Sequence, residues 1–110
     1  MKKQAATMYS NINEFLEVVK ERPSMFVMDH SLHELFKLLT GWEMCSHAHG
    51  LVERTADKTF DCRLFADWLY ETRGWSGCRG FASAILEHTA NSQEAWSTFF
   101  TLKDEFLRDA

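Results

Sequence analysis

The side chains of this sequence that are best suited to binding a metal lie in the stretch Cys45-Ser46-His47-Ala48-His49. Cys45 and His49 are four positions apart, so on a helix they share one face and form a workable pair of zinc ligands. A structural zinc site needs two further ligands, and the sequence contains neither a C-x-x-C nor an H-x-x-x-H motif. The alternative is a helix end, where histidine is common because its charge suits the helix dipole. We predict no metal site and no cofactor.

Catalysis by a cysteine would need a base and an orienting group next to the thiol. Cys62 lies between Asp61 and Arg63, but the helical pattern places it beside a buried stripe, where a thiol behaves as a small hydrophobe. The glycine-containing segment 75–80 precedes a predicted helix, yet it lacks the G-x-x-x-x-G-K-[ST] pattern of a phosphate-binding loop. The sequence therefore predicts a protein that is not an enzyme.

Acidic residues outnumber basic ones in the middle of the chain. The candidate partner-binding residues are Glu43, Glu53, Asp57, Asp61, Asp67 and Glu71. Only Arg54, Lys58 and Arg63 oppose them in that stretch. Such residues usually form a solvated face. The alternative is a docking surface for a basic protein, because complementary charge raises the rate and the specificity of association.

The elements that must position these residues are helices, since apolar residues recur at helical spacing almost everywhere after a loose start at residues 1–8. Five helices are predicted, at 12–21, from 32 to between 45 and 50, at 60–72, from 76 or 80 to 89, and at 92–108. Residues 50–59 carry no strong pattern and are predicted to form a loop. The fold class is therefore all-α, a compact bundle that spans residues 1–110 as one domain.

Caps and breakers support these helix bounds. Asn11 is placed to cap the first helix, and Pro23 should end it. Ser31, with Glu34 three residues later, forms a capping box for the second helix. Gly74 is placed to end the third helix in the left-handed conformation.

Four further expectations concern individual positions. Gly41 interrupts the second helix, so we expect a close neighbour to need the space. Leu64 is assigned to the inner face of the third helix, and Cys78 to the apolar pattern of the fourth. Segment 25–28 is apolar but short, and we interpret it as an extended connector.

Composition limits the class of protein. The chain has 110 residues and a formal charge of −4, which argues against direct binding of nucleic acid. Its three cysteines are too few and too widely spaced for a disulfide framework. There is no secretory signal and no apolar run of membrane-spanning length. We therefore expect a cytoplasmic protein with reduced thiols and no membrane association.

Both ends of the sequence resemble a group of small bacterial proteins that includes predicted immunity proteins of contact-dependent inhibition and related polymorphic toxin systems. Residues 15–26 resemble the pattern F-L-x-x-V-x-x-R-P-x-M-[YF], and residues 31–42 resemble S-L-x-x-L followed by G-[YW]. Residues 94–106 resemble E-A-x-x-x-F-F-x-L-x-D-E-F, whereas residues 43–62 are unmatched. The motif residues in the first half of the chain are Arg22, Pro23, Met25, Phe26, Ser31, Leu32, Gly41 and Trp42.

The resemblance implies an immunity protein that binds a cognate toxin domain, such as a nuclease, and covers its active surface. Nuclease clefts are basic, so an acidic inhibitor would be attracted to them at long range. The unmatched residues 43–62 would then carry partner specificity. Arg22, the one polar motif residue that is not a cap, is expected either to pair with a carboxylate in the core or to contact a ligand.

A second reading is a small helical adaptor, with a homodimer as one form of it. The apolar pattern assigns both Phe99 and Phe100 to the inner face of the fifth helix. Adjacent residues cannot both face a narrow stripe, so exposed aromatic residues on that helix would favour this second reading. A third reading is an enzyme or metalloprotein that uses Cys45 and His49.

Overall fold

The computed structural model describes residues 11–50 and 58–109. Within these ranges the chain forms five α-helices, one short 3-10 helix and no strand. The helices are α1 (Ile12–Glu21), α2 (Leu32–Ala48), α3 (Cys62–Arg73), α4 (Phe81–Glu87) and α5 (Ser92–Arg108), and the 3-10 helix is Pro23–Met25. They form the all-α bundle that the sequence predicts. In this part of the chain no helix combines the length and the apolar character needed to cross a bilayer.

The predicted caps of the first two helices are confirmed. The Asn11 side chain accepts a hydrogen bond from the Glu14 backbone N–H at 2.9 Å. The Ser31 hydroxyl accepts one from the Glu34 N–H at 3.2 Å, and the Glu34 carboxylate accepts one from the Met28 N–H at 2.9 Å. The bonds to Asn11 and Ser31 satisfy N–H groups that a helix start leaves without intrahelical partners. The Met28 N–H belongs to the connector and the Ser31 N–H donates to the Met28 carbonyl, so only the Ser31 half of the predicted capping box is formed.

The connector between α1 and α2 is tighter than predicted. Instead of an extended segment at 25–28, Pro23–Met25 forms a 3-10 helix, and the backbone N–H groups of Phe26 and Val27 both donate to the Pro23 carbonyl. Proline favours this start because its ring fixes φ and because a first helical residue needs no N–H donor. The connector therefore turns sharply between α1 and α2.

The later helix bounds need small corrections. Helix α3 begins at Cys62 rather than residue 60, because the Asp61 side chain accepts from the Leu64 N–H at 2.9 Å and caps it there. Gly74 ends it at φ +73°, as predicted. Helix α4 begins only at Phe81, so Cys78 lies in the preceding turn and is exposed, contrary to prediction.

An aromatic cluster occupies the centre of the bundle. The ring centroid of Phe65 lies 5.1 to 5.7 Å from those of Phe60, Phe81, Phe99 and Phe106. Most of these pairs meet edge to face, the geometry in which each contributes about 0.5–1.5 kcal/mol beyond the area that it buries. Helices α3, α4 and α5 are thereby joined through one set of rings.

The inner face predicted for α5 is confirmed at Phe99 and Phe100, whereas the inward position predicted for Leu64 on α3 is wrong. Phe99 and Phe100 are 0% and 3% exposed, because α5 packs against α2, α3 and α4 and therefore buries a wide arc. Leu64 is 47% exposed, because the buried stripe of α3 runs through Phe65 and Leu69 and leaves Leu64 outside it.

Gly41 also differs from its prediction. It lies on an exposed part of α2, and a Cβ atom built there would have no neighbour within 4 Å. No close packing partner therefore explains this glycine.

Lys103 is a buried charge that the sequence analysis did not identify. Lys103 is 2% exposed, and its ammonium group contacts the carboxylates of Glu17 and Asp104, each at 2.7 Å. A buried ammonium is tolerated when it is paired and hydrogen bonded. This ion pair ties α1 to α5.

Asn13 and Lys58 fasten the chain that leads into α3. The Asn13 side-chain amide donates to the Lys58 carbonyl at 2.8 Å and accepts from the Phe60 N–H at 2.9 Å. The Lys58 ammonium in turn donates to the carbonyls of Phe106 and Asp109 at the end of α5. Residue 58 thus joins α1, the end of α5 and the segment that leads into α3.

Candidate functional site

A groove of about 720 Å³ lies between α2 and α3 and is bounded at one end by the loop that connects α3 to α4. It is open to solvent and combines apolar, acidic and aromatic side chains. Its lining residues are Phe36, Thr40 and Glu43 from α2, Cys62, Arg63, Ala66, Asp67, Tyr70 and Glu71 from α3, and Ser76, Gly77, Cys78 and Gly80 from the loop.

Helical spacing explains why these residues face the groove together. Phe36, Thr40 and Glu43 lie four and then three positions apart on α2, so they share one stripe. On α3 the same spacing relates Arg63 to Asp67 and Tyr70. The two helices run in opposite directions, since the end of α2 meets the start of α3.

Two glycines allow the loop to approach both helices. A Cβ atom on Gly77 would lie 2.7 Å from the Ala66 Cβ. A Cβ atom on Gly80, where φ is +91°, would lie 2.9 Å from the Phe36 ring. The loop therefore packs backbone against α3 and against the Phe36 ring, and this contact shapes the apolar end of the groove.

The opposite end of the groove is fixed by Glu43. Its carboxylate accepts a hydrogen bond from the Cys62 backbone N–H at 3.0 Å. The N–H groups at a helix start carry partial positive charge, so a carboxylate is favoured there. Asp61 adds the side-chain cap described above. The start of α3 is thus held by two carboxylates, one from Glu43 on α2 and one from Asp61, the residue that immediately precedes α3.

The Cys62 thiol is kept protonated by its surroundings. Burial raises its pKa well above the ordinary range, and the nearby charges of Glu43 and Asp61 raise it further. A thiolate is the reactive form of cysteine, so this environment suppresses nucleophilic chemistry. The sequence-based view of Cys62 as a small apolar side chain agrees with its position against the core.

The groove carries more negative than positive charge. The lining contains three acidic side chains, Glu43, Asp67 and Glu71, and one basic side chain, Arg63. Asp67, Glu71 and Arg63 form no ion pair with any residue of the described ranges. Asp67 and Glu71 are exposed, so their charges are available to a partner.

The sequence matches no protein-family model, no curated protein and no solved structure. The resemblance to immunity proteins therefore stays a prediction.

The structure brings part of the predicted acidic set together. Glu43, Asp67 and Glu71 line the groove, and Asp61 lines smaller depressions next to it together with Glu43. Glu53 and Asp57 lie outside the described residues. Two of the six predicted residues, Glu43 and Asp61, also have structural roles at the start of α3.

The family-motif residues in the first half of the chain are mainly structural. Leu32 is buried, and Ser31 caps α2. The Phe15 ring packs edge-on against Phe26 and stacks on Trp42. These residues hold α1, the connector and α2 together.

Three motif residues, Arg22, Pro23 and Met25, surround the 3-10 helix. Pro23 begins that helix, and Met25 is 61% exposed. Arg22 is exposed and forms no ion pair with a described residue, so the expected partner carboxylate in the core is not found. Its backbone N–H donates to the Val18 carbonyl and ends α1.

The metal-like stretch of α2 does not assemble a site in the described residues. Cys45, His47 and His49 are all exposed, and within residues 11–50 and 58–109 no group of three or more His, Cys, Asp or Glu side chains is arranged to hold a metal. His49 directly follows the last residue of α2 and caps it, in agreement with the alternative interpretation of this stretch as a helix end.

Sequence reasoning missed the aromatic and backbone parts of the groove. Tyr70 was not singled out, although it is 63% exposed and follows Asp67 at helical spacing. Gly77 and Gly80 carry no prediction of their own, although the absence of a Cβ atom at each lets the loop approach α3 and α2. The available signal for this face of α3 was the four-residue spacing of Cys62, Ala66 and Tyr70 next to Asp67 and Glu71.

Proposed function

We propose that this protein binds a basic partner protein through the groove between α2 and α3, and that the partner is a toxin domain that it neutralises. The observation that carries the proposal is the acidic lining of an open, partly apolar groove. Asp67 and Glu71 contribute exposed carboxylates with no ion-pair partner in the described chain, and Glu43 lies at the far end.

Physical chemistry favours this use of the groove. Complementary charges steer diffusing partners together and penalise wrong ones, while apolar contacts supply the affinity that exposed charge pairs lack. The groove offers both, since Phe36 and Ala66 adjoin Asp67 and Glu71. A nuclease toxin, whose cleft must attract phosphate groups, has the opposite charge.

The composition of the groove favours binding over catalysis. Its one half-buried thiol, Cys62, has a raised pKa and is a poor nucleophile. None of the histidines is among the lining residues, so the groove lacks the commonest general base. We therefore propose inhibition by occlusion, with no bond made or broken by this chain.

The test is complex formation with a panel of basic nuclease toxin domains, measured by calorimetry at rising salt. We expect a cognate domain to bind, with affinity falling about tenfold or more as salt rises from about 0.05 to 0.5 M, because salt screens charge pairs. The double variant Asp67→Asn/Glu71→Gln should weaken binding. Glu21→Gln/Glu87→Gln is the matched control, since it removes two exposed charges outside the groove.

A salt-insensitive complex, or equal loss in both double variants, would count against this proposal. Growth of cells that co-express the cognate toxin with each variant provides the functional readout. The groove variant should fail to protect, and the control should protect like the wild type.

A helical adaptor that pairs with a second copy is the second candidate. Its original support is gone because Phe99 and Phe100 are buried. A different observation favours it, since Met44, Leu64 and Tyr70 expose 66%, 47% and 63% of their surface on α2 and α3. Light scattering of the isolated protein separates the two candidates: a monomer supports the toxin-binding proposal, and a stable dimer supports the adaptor.

A further inference from the structure

We propose that the groove receives an arginine side chain of the partner, with an apolar residue next to it, and that it prefers arginine to lysine. This inference rests on the proposed function and specifies the chemistry of the group that the groove takes. It is carried by the arrangement of one aromatic ring, two carboxylates and an apolar floor.

The ring and the carboxylates lie within little more than one turn of α3. Asp67 lies three positions from Tyr70 and four from Glu71, so all three lie on one side of the helix, and Arg63 precedes Asp67 by four positions. All three are exposed, and all three line the groove. A cation that enters the groove meets a lining with two exposed carboxylates and a phenol ring, and with Arg63 as its one basic side chain.

The floor of the groove is apolar and has little side-chain bulk at one end. Phe36 and Ala66 contribute apolar surface, and Gly77 and Gly80 contribute backbone without a Cβ atom. Such a floor suits the aliphatic stem of a long cationic side chain or a neighbouring apolar residue. A purely electrostatic site would not need it.

Arginine fits this combination better than lysine. The guanidinium group is planar, stacks on an aromatic face and pairs with a carboxylate through two parallel hydrogen bonds. It is also more weakly hydrated than an ammonium group, so its entry into a partly apolar groove costs less. Lysine offers one compact, strongly hydrated charge that gains little from the Tyr70 ring.

The length of the groove limits the size of the occupant. Residues 36 to 43 of α2 span about 10 Å at the helical rise, which is the length of about three extended residues. The occupant is therefore a short projecting segment of the partner, such as a loop. A second long helix lying along the groove would be much longer than its lining.

The experiment titrates the full chain at low salt with three blocked tetrapeptides, in which leucine alternates with arginine, with lysine or with citrulline. Binding is measured from the changes in the backbone amide chemical shifts of the protein. Citrulline has nearly the shape of arginine but no charge. We expect the arginine peptide to shift amides of the groove residues. It should bind about threefold or more tighter than the lysine peptide and about tenfold tighter than the citrulline peptide.

Substitutions of Tyr70 test the aromatic contribution. Tyr70→Ala should abolish the preference for arginine over lysine, whereas Tyr70→Phe should keep it, because the ring face is retained. Asp67→Asn/Glu71→Gln should weaken the arginine peptide about tenfold, and the control Glu21→Gln/Glu87→Gln should leave it unchanged. Tyr70 is exposed, so these variants should fold normally.

Equal binding of the lysine peptide, shifts that map away from the groove, or a preference that survives Tyr70→Ala would each overturn the inference. Concentration-dependent shifts of the groove amides without peptide would also overturn it, since a second copy would then fill the groove. A toxin that binds in a salt-dependent manner while the peptides show no arginine preference would overturn this inference alone. Failure to bind any basic toxin, with the arginine preference intact, would overturn only the proposed function.

Discussion

One face of α3 packs Phe65 and Leu69 into the aromatic core, while another face of the same helix lines the groove with Asp67, Tyr70 and Glu71. On the core face each side chain is fully buried among other apolar groups. On the groove face the charges and the phenol ring are exposed. The two faces meet at Cys62 and Ala66, which line the groove and also pack against the core, whereas the exposed groove residues make no core contact that stability would depend on.

The largest expected effect comes from the core face. Phe65→Ala should lower the free energy of unfolding by about 3–5 kcal/mol, because it removes the ring at the centre of the aromatic cluster and leaves a cavity. Tyr70→Ala on the same helix should change it by less than about 0.5 kcal/mol. Urea unfolding followed by circular dichroism measures both. Similar losses in the two variants would contradict the separation of the faces.

The next effect concerns the loop that bounds the groove. Gly77→Ala places a Cβ atom 2.7 Å from the Ala66 Cβ, where neither group is the end of a flexible side chain. We expect a loss of about 1–3 kcal/mol, together with weaker partner binding, because the loop must move away from α3. Cys78→Ala, an exposed position in the same loop, is the control and should have little effect on unfolding.

A smaller effect should distinguish two acidic residues that look alike in the sequence. Asp61→Ala should cost about 1 kcal/mol in thermal or urea unfolding, because it removes the cap of α3. Asp67→Ala should leave stability within about 0.5 kcal/mol and should instead weaken partner binding. If Asp67 proved to be the stabilising residue, the roles assigned to the two carboxylates would be reversed.

The smallest effect should be a gain. Gly41→Ala is expected to stabilise the protein by up to about 1 kcal/mol, because Gly41 lies in the middle of α2 with open space around it. Gly74→Ala should destabilise it instead, since Gly74 has φ of +73°. The pair is measured by differential scanning calorimetry. A destabilising Gly41→Ala would reveal a neighbour that the structure does not show.

Local patterns in the sequence predicted the helices well. The caps at Asn11 and Ser31, the break before Pro23 and the left-handed end at Gly74 all act within a few residues, so their physics is visible in the sequence. The all-α fold follows from these signals and from helical periodicity.

The predictions of side-chain burial that failed concern contacts between elements that are distant in the sequence. Helical periodicity places Leu64 on the inner face of α3, but the neighbours of that helix cover Phe65 and Leu69 instead. The burial of Lys103 depends on a carboxylate of α1 that is distant in sequence. Such contacts arise only when the helices are assembled.

The groove was predicted only as a list of acids. Charge type could be read from the sequence, which is why Glu43, Asp67 and Glu71 were chosen. The close packing of the loop on both helices could not be predicted from the sequence, because it brings Gly77 to Ala66 and Gly80 to Phe36, which are distant along the chain. The shape of a surface site depends on such long-range packing.

The Asn13 amide offers the chain one donor and one acceptor, as the backbone of a neighbouring β-strand would, and so grips the backbone of residues 58–60 from the side. The approach to α3 is consequently held from two sides, by this amide of α1 and by the Lys58 ammonium, which donates to carbonyls at the end of α5. One side chain of α1 therefore positions the backbone that leads into α3, although the two helices are distant in the sequence.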